Sequence, residues 1–499
     1  MVHESPAYAS APATPRAAWR GRPLRAGVRS WRPRPRRVAA AGAAGVGTVA
    51  MGACVGLCTA VVLVAAERPS FLSGPARHGF PAWMVGPLAH RLPGLPDSPP
   101  ALQADLTRLL AALGITWLVA WLCAERVPAP VLWGAAALSQ VVLLLGPPLS
   151  LTDLFNYVHY GRMAPAHGLN PYVSLPLAAA HDPSYPYSNW HHLPSPYGPL
   201  FTLLTEALAP LSLPVAYWTL KALLLAASLG TLALVATTAR RLGRSPRAAV
   251  ALVAFNPLVL IYGIGGAHNE PLLLLPLMGA VALAVANRRR ATAVPWHDAA
   301  AGVCVVLAAG VKPSAALLAP LVVLGCRDRR AALAGAVAAG AAVLAVVVVA
   351  FGGHLPATSV QDHLVTPLSV ANVLAALAGQ GGLTAADRTI GHVVLAVVTL
   401  GALLAVAHRR ERLPGAAAVV MLAVVLTLGW TMPWYVWWVL PLAALARTRT
   451  LAVACILLTA WLALGAIPQM PRLLHSVGYY PTRSAAGRAN HLFTERYLK

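Results

Sequence analysis

Residues 299–326 read AAAGVCVVLAAGVKPSAALLAPLVVLGC, a 28-residue apolar run whose one charge, Lys312, is followed at once by Pro313. Arg288-Arg289-Arg290 stands before it and Arg327-Asp328-Arg329-Arg330 follows it. Short connections rich in arginine stay on the cytoplasmic side of a membrane, so this run leaves that side and returns to it. A helix needs about 20 residues to cross a hydrocarbon core of about 30 Å, and two crossings do not fit. The break falls at Lys312-Pro313, because proline removes an intrahelical donor and disfavours helix in the residue before it. The run therefore predicts a hairpin of two short helices with Lys312 near its tip, facing the extracytoplasmic side. Half-length helices at membrane depth are tolerated where they line a cavity. The chain is building a pocket.

The same reasoning extends outward. Apolar runs that span, or nearly do, lie at about 44–66, 105–124, 128–146, 214–238, 247–265, 271–287, 331–350, 390–407, 415–431 and 450–467. Shorter runs at 198–211 and 433–446 reach only about 21 Å at 1.5 Å per residue and read as half-spans or interfacial segments. Basic clusters at 16–37, Arg240-Arg241-Leu242-Gly243-Arg244, His408-Arg409-Arg410-Glu411-Arg412 and Arg447-Thr448-Arg449 join the two above on the cytoplasmic side. The longer loops 67–104, 147–196 and 351–389 then fall on the opposite face, where any binding or catalysis belongs. The expected fold is all-α and polytopic, with roughly 11–14 membrane helices counting the short ones. It divides into a basic cytoplasmic tail over 1–38, one transmembrane domain over 39–470 and a C-terminal tail over 471–499.

Composition agrees. The 499 residues are 58% hydrophobic and 11% charged, with mean hydropathy +0.66, which excludes a soluble enzyme and a disordered chain. Net charge is +23, and among the 38 basic residues the only lysines are Lys221, Lys312 and Lys499. The N-terminal arginines directly precede an apolar span, so they read as a topological signal rather than a nucleic-acid arm. The six cysteines lie in or beside apolar runs without paired zinc spacing, so neither disulfides nor a metal site are expected.

Only fifteen acids exist. Asp298, Asp328 and Glu411 sit beside arginines and read as their counter-charges; Asp182 lies in an outer loop without a local constellation. Asp153, Glu206 and Glu270 stand apart. Asp153 falls in the first turn of a helix that Thr152 can cap, where the macrodipole favours a carboxylate. Asn156, Tyr157 and Tyr160 follow at i+3, i+4 and i+7, a polar and aromatic stripe suited to a sugar groove. Gly265-Gly266-Ala267-His268-Asn269-Glu270 makes a tight polar connection between spans, at the same outer level as Asp153 and the Lys312 tip. An intramembrane lysine is costly and marks function; Lys221 poses the same question. Trp430, Pro433, Trp434, Tyr435, Trp437 and Trp438 form an aromatic band.

Together these residues resemble a family: the actinobacterial polyprenyl-phosphomannose-dependent α-1,6-mannosyltransferases of the GT-C class. The resemblance rests on Asp153-x-x-Asn156-Tyr157 with Gly161, Gly168-Leu169-Asn170-Pro171-Tyr172, Pro196-Tyr197-Gly198-Pro199 and Asn256-Pro257-Leu258-Val259-Leu260. It continues through Gly265 to Glu270, Val311-Lys312, Ala371-Asn372-Val373 and Pro433-Trp434-Tyr435, covering about residues 105–470. It implies an extracytoplasmic active site in a multi-pass plasma-membrane protein with a cytoplasmic N-terminus. It also implies that Asp153 is the general base.

A lipid-phosphate-linked mannose carries its own leaving group, so transfer needs a base and cations for the phosphate. Lys312 and Arg162 are expected in the second role, His268, Asn269 and Glu270 on sugar hydroxyls, and Tyr157, Tyr197, Trp434 and Tyr435 stacked on sugar or lipid. One carboxylate and one displacement imply inversion, onto a mannan lipoglycan acceptor. Many enzymes of the class pair two acids as Asp-x-Asp, whereas this chain has Asp153-Leu154-Phe155; no cofactor is required by the sequence and metal dependence is left open. The rival readings are a lipid-linked sugar flippase and a non-catalytic assembly subunit.

Overall fold

The computed structural model describes residues 37–68, 80–92, 94–95, 99–149, 153–356, 364–446 and 448–497. Nearly all of the arginine tail, Thr152, Arg447 and parts of the loops over 67–104 and 351–389 lie outside them. Among the described residues every regular element is helical, and seven helices are long and apolar enough to cross a membrane. These are α1 (Arg37–Glu67), α2 (Pro99–Cys123), α6 (Leu213–Arg241), α8 (Glu270–Arg288), α11 (Arg329–Phe351), α12 (Ala385–His408) and α15 (Arg449–Ala466). Shorter apolar helices stand among them: α3 (Ala129–Leu144), α7 (Pro246–Ala254), α9 (Pro295–Val311), α10 (Ala319–Gly325), α13 (Leu413–Thr427) and α14 (Val436–Ala444). Among the remaining helices, three bear on the site: α4 (Asp153–His167), α5 (Pro199–Glu206) and α16 (Ala485–Tyr497). The fold is an all-α polytopic membrane protein.

The hairpin forms as read. Helix α9 ends at Val311; Lys312 is extended (φ −146°, ψ 120°), a 3-10 turn covers Pro313–Leu318, and α10 returns. Its two ends meet: the Arg327 guanidinium donates to the Arg290 carbonyl at 3.0 Å and the Asp328 N–H to the Asp298 carboxylate at 2.7 Å. Arg410 donates to the Arg327 carbonyl and Arg329 to that of Ala407. The basic connections therefore gather at one end of the bundle. Glu270 and Arg288 bound α8, whose 19 residues span about 28 Å, so the Lys312 and Glu270 end is opposite.

Asp298 and Asp328 serve differently from the expectation of arginine counter-charges. Asp298 is buried and accepts from Asn287 Nδ2 and the Asp328 N–H, while the Asp328 carboxylate caps α11 at the Ala331 N–H. Unpaired amides at a turn and a helix start compete for these carboxylates. Helices α9 and α11 cross closely because Gly302 and Gly335 face each other's backbone; a Cβ on either meets a carbonyl at 2.0 Å.

The run at 247–265 is not one span. Helix α7 stops at Ala254, the Asn256 carboxamide takes the Leu258 and Val259 N–H groups, and Val259–Ile264 continues as a π-turn. Pro257 removes a donor there, and the Asn256 side chain supplies the substitute acceptor. Lys221 serves structure: its ammonium donates to the Gly146 carbonyl at 2.5 Å, just past the end of α3, and lies over the Trp218 ring. That carbonyl lies just past a helix C-terminus, where a cation is favoured. Lys221→Met leaves it unpaired and is expected to cost about 1–3 kcal/mol, read as a lower detergent-unfolding midpoint.

Candidate active site

Around Lys312, at the end of the bundle away from the arginine-rich connections, six segments enclose a cavity of about 330 Å³. Asp153 enters from the first turn of α4, Tyr197 from the turn before α5, Lys312 from the hairpin tip, and Trp434 and Tyr435 from the turn before α14. Tyr157, one turn along α4, completes the wall with Asn189, Trp190, Thr366 and Trp430. Gly198 sets the approach of two of these segments. Its N–H donates to the Val311 carbonyl, and a Cβ there would sit 2.3 Å from the Gly310 carbonyl oxygen. Only glycine lets α5 start against the end of α9, so Tyr197 and Lys312 become neighbours.

A second layer holds the charged groups. Glu270, at the start of α8 with its side chain fully buried, accepts from Lys312 at 2.5 Å. The Lys312 ammonium lies over the Trp438 and Tyr435 rings at 4.9 and 5.2 Å. Lys312 is the residue that ends α9, its backbone N–H donating to the Ala308 carbonyl. His268 Nε2 faces Asp153 Oδ2 at 3.4 Å, while its Nδ1 donates to the Tyr262 carbonyl at 2.6 Å. A carbonyl accepts only, so Nδ1 carries the proton and Nε2 is the nitrogen presented to the carboxylate. The Trp434 ring stacks on the imidazole at 3.5 Å between centroids, fixing it. Asp153 and Glu270 each open a helix, in the first turn where the dipole favours a carboxylate.

Of the residues singled out in the sequence, Asp153, Tyr157, Tyr197, Lys312, Trp434 and Tyr435 line the cavity. His268 and Glu270 stand behind them, each against one charged group, rather than on sugar hydroxyls. Asn269 is buried beside Glu270 with its amide nitrogen unpaired. Tyr197 Oη, His268 Nε2 and Glu270 Oε2 are likewise buried without a hydrogen bond, and buried polar atoms normally have one. They are polar atoms left for a ligand or water to satisfy.

Two expected ligand contacts lie elsewhere. Asn156 is 1% exposed and spends its amide on Asn189, donating to Oδ1 at 2.8 Å and accepting from the N–H at 3.0 Å. Tyr160 donates to the Leu193 carbonyl. That face of α4 packs under the outer loop, leaving Tyr157 alone of the stripe in the cavity. Arg162 donates from Nε to both Asp182 oxygens, at 3.0 and 2.9 Å, and from Nη1 to the Ala209 carbonyl. The carboxylate thus satisfied leaves the guanidinium no role at a phosphate.

Asp182, read as isolated, is the centre of that cluster: His167 Nε2 contacts it at 2.8 Å, and the Ser184 N–H and hydroxyl donate to it. Burial alone would raise its carboxyl, but the bonds from Ser184, His167 and Arg162 outweigh burial and hold it at about 2. His159 contacts Ser184 Oγ and the Pro176 carbonyl, and burial lowers its pKa from 6.5 to about 4. Its folded value is depressed, so protonation favours unfolding: stability is unaffected above about pH 6.5 and falls as pH drops towards 4. The loss reaches about 3 kcal/mol at most. Protection factors over 176–192, corrected for the intrinsic pH dependence of exchange, should therefore fall between pH 6.5 and 4, and His159→Gln should flatten that slope. Glu206 closes α5 away from the cavity, half-buried, where burial raises its carboxyl to about 7.

Sequence reading missed Asn189, Thr366, Asn490 and Thr494, all on the cavity wall. The last two belong to α16, in the segment expected to be a tail. Asn490 Oδ1 accepts from the Val365 N–H, which ties α16 to the cavity wall. Among the described residues no three His, Cys, Asp or Glu side chains group as metal ligands.

Comparison with known proteins adds the family. Residues 54–327 match the family described as alpha-(1->6)-mannopyranosyltransferase, N-terminal domain, and residues 365–487 match the MptB C-terminal domain. Alpha-(1->6)-mannopyranosyltransferase A of Mycobacterium tuberculosis is 30% identical over 64% of this chain and 66% of its own length. A second alpha-(1->6)-mannopyranosyltransferase of that organism is 26% identical over the same shares. Alpha-(1->6)-mannopyranosyltransferase B of Corynebacterium glutamicum is 28% identical over 32% of this chain and 27% of its own. The chain thus spans just under two thirds of the first two relatives. No solved structure matches it significantly.

Proposed function

This chain belongs to the alpha-(1->6)-mannopyranosyltransferase family, and we propose on that premise that it transfers mannose from a polyprenyl-phosphate carrier to a growing α-1,6-mannan. The reaction takes place at the extracytoplasmic face, with the arginine-rich end in the cytoplasm and a GT-C-like arrangement of helices. One observation carries the reading: a carboxylate, Asp153, and a lysine ammonium, Lys312, line the same aromatic-walled cavity.

The acceptor hydroxyl oxygen attacks mannose C1 as the bond from C1 to the phosphate oxygen breaks. Its electron pair leaves on the phosphate, and the hydroxyl proton passes to Asp153. Lys312 steadies the phosphate as negative charge develops on it, and Glu270 keeps the ammonium aimed. His268, held under the Trp434 ring, packs against Asp153 and limits where its carboxylate lies. Tyr157, Tyr197 and Trp434 supply ring faces for sugar and prenyl carbon. A single displacement with one carboxylate inverts the configuration, from a β-linked donor to an α-linked product; lipomannan-type lipoglycans are the acceptor class.

Radiolabelled polyprenyl-phosphate mannose given to the purified protein in detergent tests this. With no membrane to cross, an enzyme labels a mannoside acceptor, whereas a flippase or an assembly subunit leaves the label on the lipid. A second expectation concerns the outer wall. Thr494→Val removes one hydroxyl from the cavity at constant shape and should raise acceptor KM about 3- to 10-fold, with kcat within twofold and donor KM unchanged.

A further inference from the structure

A second cavity, about 1020 Å³, opens at the arginine-rich end between α12, α13 and the start of α15. We propose that it binds an anionic glycerophospholipid, with acyl chain in the groove and phosphate on the arginine rim. The walls are apolar and run from the helix ends to Val398, ten residues before the end of α12 at His408, a depth of about 15 Å. Gly401, Ala402, Gly415 and Ala416 carry little or no side chain there, which makes the space. A groove of that depth beside a hydrocarbon core accepts an acyl chain without unpaired polar groups.

The rim identifies the headgroup. Arg244, Arg289, Arg409 and Arg412 border the opening with a single acid, Glu411, a formal balance of +3. Neighbouring arginines of the same clusters are committed to the fold: Arg288 donates to the Arg410 carbonyl, Arg327 to Arg290, Arg329 to Ala407 and Arg410 to Arg327. Among the described residues the side chains of Arg289, Arg409 and Arg412 have no protein acceptor, and all three are exposed. If these clusters only marked topology, their guanidinium groups would have no reason to converge on an apolar cleft. Basic pockets between membrane helices recognise anionic headgroups, since guanidinium forks match phosphate oxygens. The site is at the opposite end from Asp153 and Lys312, so it stands apart from the transfer reaction.

The test uses the purified full chain in detergent and native mass spectrometry, with phosphatidylglycerol and phosphatidylcholine of identical acyl chains as probes. Phosphatidylglycerol should bind at least tenfold more tightly. The triple variant Arg289→Gln/Arg409→Gln/Arg412→Gln should lose that preference, and the control Arg290→Gln/Arg330→Gln, at the same end but off the rim, should keep it. Gly401→Leu/Gly415→Leu, which fills the groove, should weaken both lipids. Equal binding of the two lipids, or a preference that survives the triple variant, overturns the proposal. So does displacement of bound phosphatidylglycerol by neutral prenyl alcohol at equal concentration, which would make the cleft a prenyl site. Should the triple variant not fold, raised salt on the wild type substitutes: the preference must shrink with ionic strength.

Discussion

Asp153→Asn is expected to lower mannose transfer by about 10²- to 10⁴-fold, the range that general-base catalysis contributes. Asparagine keeps the shape of the side chain and can still hydrogen-bond, so the first turn of α4 and the cavity wall should persist. What is lost is the acceptor of the proton. Donor KM should move little, because Lys312 rather than Asp153 is proposed to hold the phosphate, and the loss should fall on kcat. His268→Gln should be milder, because that imidazole touches Asp153 without lining the cavity. The order of the two losses therefore matters as much as their size; a larger loss at His268 would make the imidazole, rather than the carboxylate, the base.

Lys312→Met is the second large effect, and it divides into two readouts. The substitution leaves the Glu270 carboxylate wholly buried without its cation, a change that costs about 3–5 kcal/mol when a buried pair is broken from one side. The unfolding midpoint should drop accordingly. Transfer should fall too, since no cation is left for the leaving phosphate. Removing both partners separates the effects. Lys312→Met/Glu270→Met takes out two charges together, so stability should return to near that of the wild type while transfer stays lost. A double variant that regains activity with stability would reduce the pair to a structural tie and leave the phosphate without a partner.

How much of this was readable in the sequence depended on the range of the interaction. The hairpin was readable because its causes are local: arginines at both ends, a proline after a lysine, and too few residues for two crossings. Asp153, Glu270 and Lys312 stood out because acids and lysines are so rare in the chain. Their pairing was not readable, since Lys312 and Glu270 are 42 residues apart and only the packing of α8 against the hairpin joins them. Helical period put Asn156 and Tyr157 on one side of α4, yet period cannot say that Asn156 faces the loop at 189 and Tyr157 the cavity. Arg162 misled for the same reason: its partner Asp182 is twenty residues on, in a loop whose course follows no pattern. Asn490 and Thr494 gave no sign, because a polar helix far down the chain reads as a tail until its partner at Val365 is known. The break at Asn256-Pro257 has a local cause as well: the pair is visible in the sequence, yet the apolar residues on both sides of it read as one span over 247–265.

The central claim is that the cavity holding Asp153 and Lys312 performs an inverting sugar transfer. Its most direct measurement is the anomeric configuration of the product formed by purified wild type and Asp153→Asn in parallel, from β-linked polyprenyl-phosphate mannose and a synthetic mannoside. The account predicts an α-1,6-linked product from the wild type and, with Asp153→Asn at equal protein, at most about one hundredth as much. A β-linked product, or undiminished α-linked product from Asp153→Asn, would contradict it.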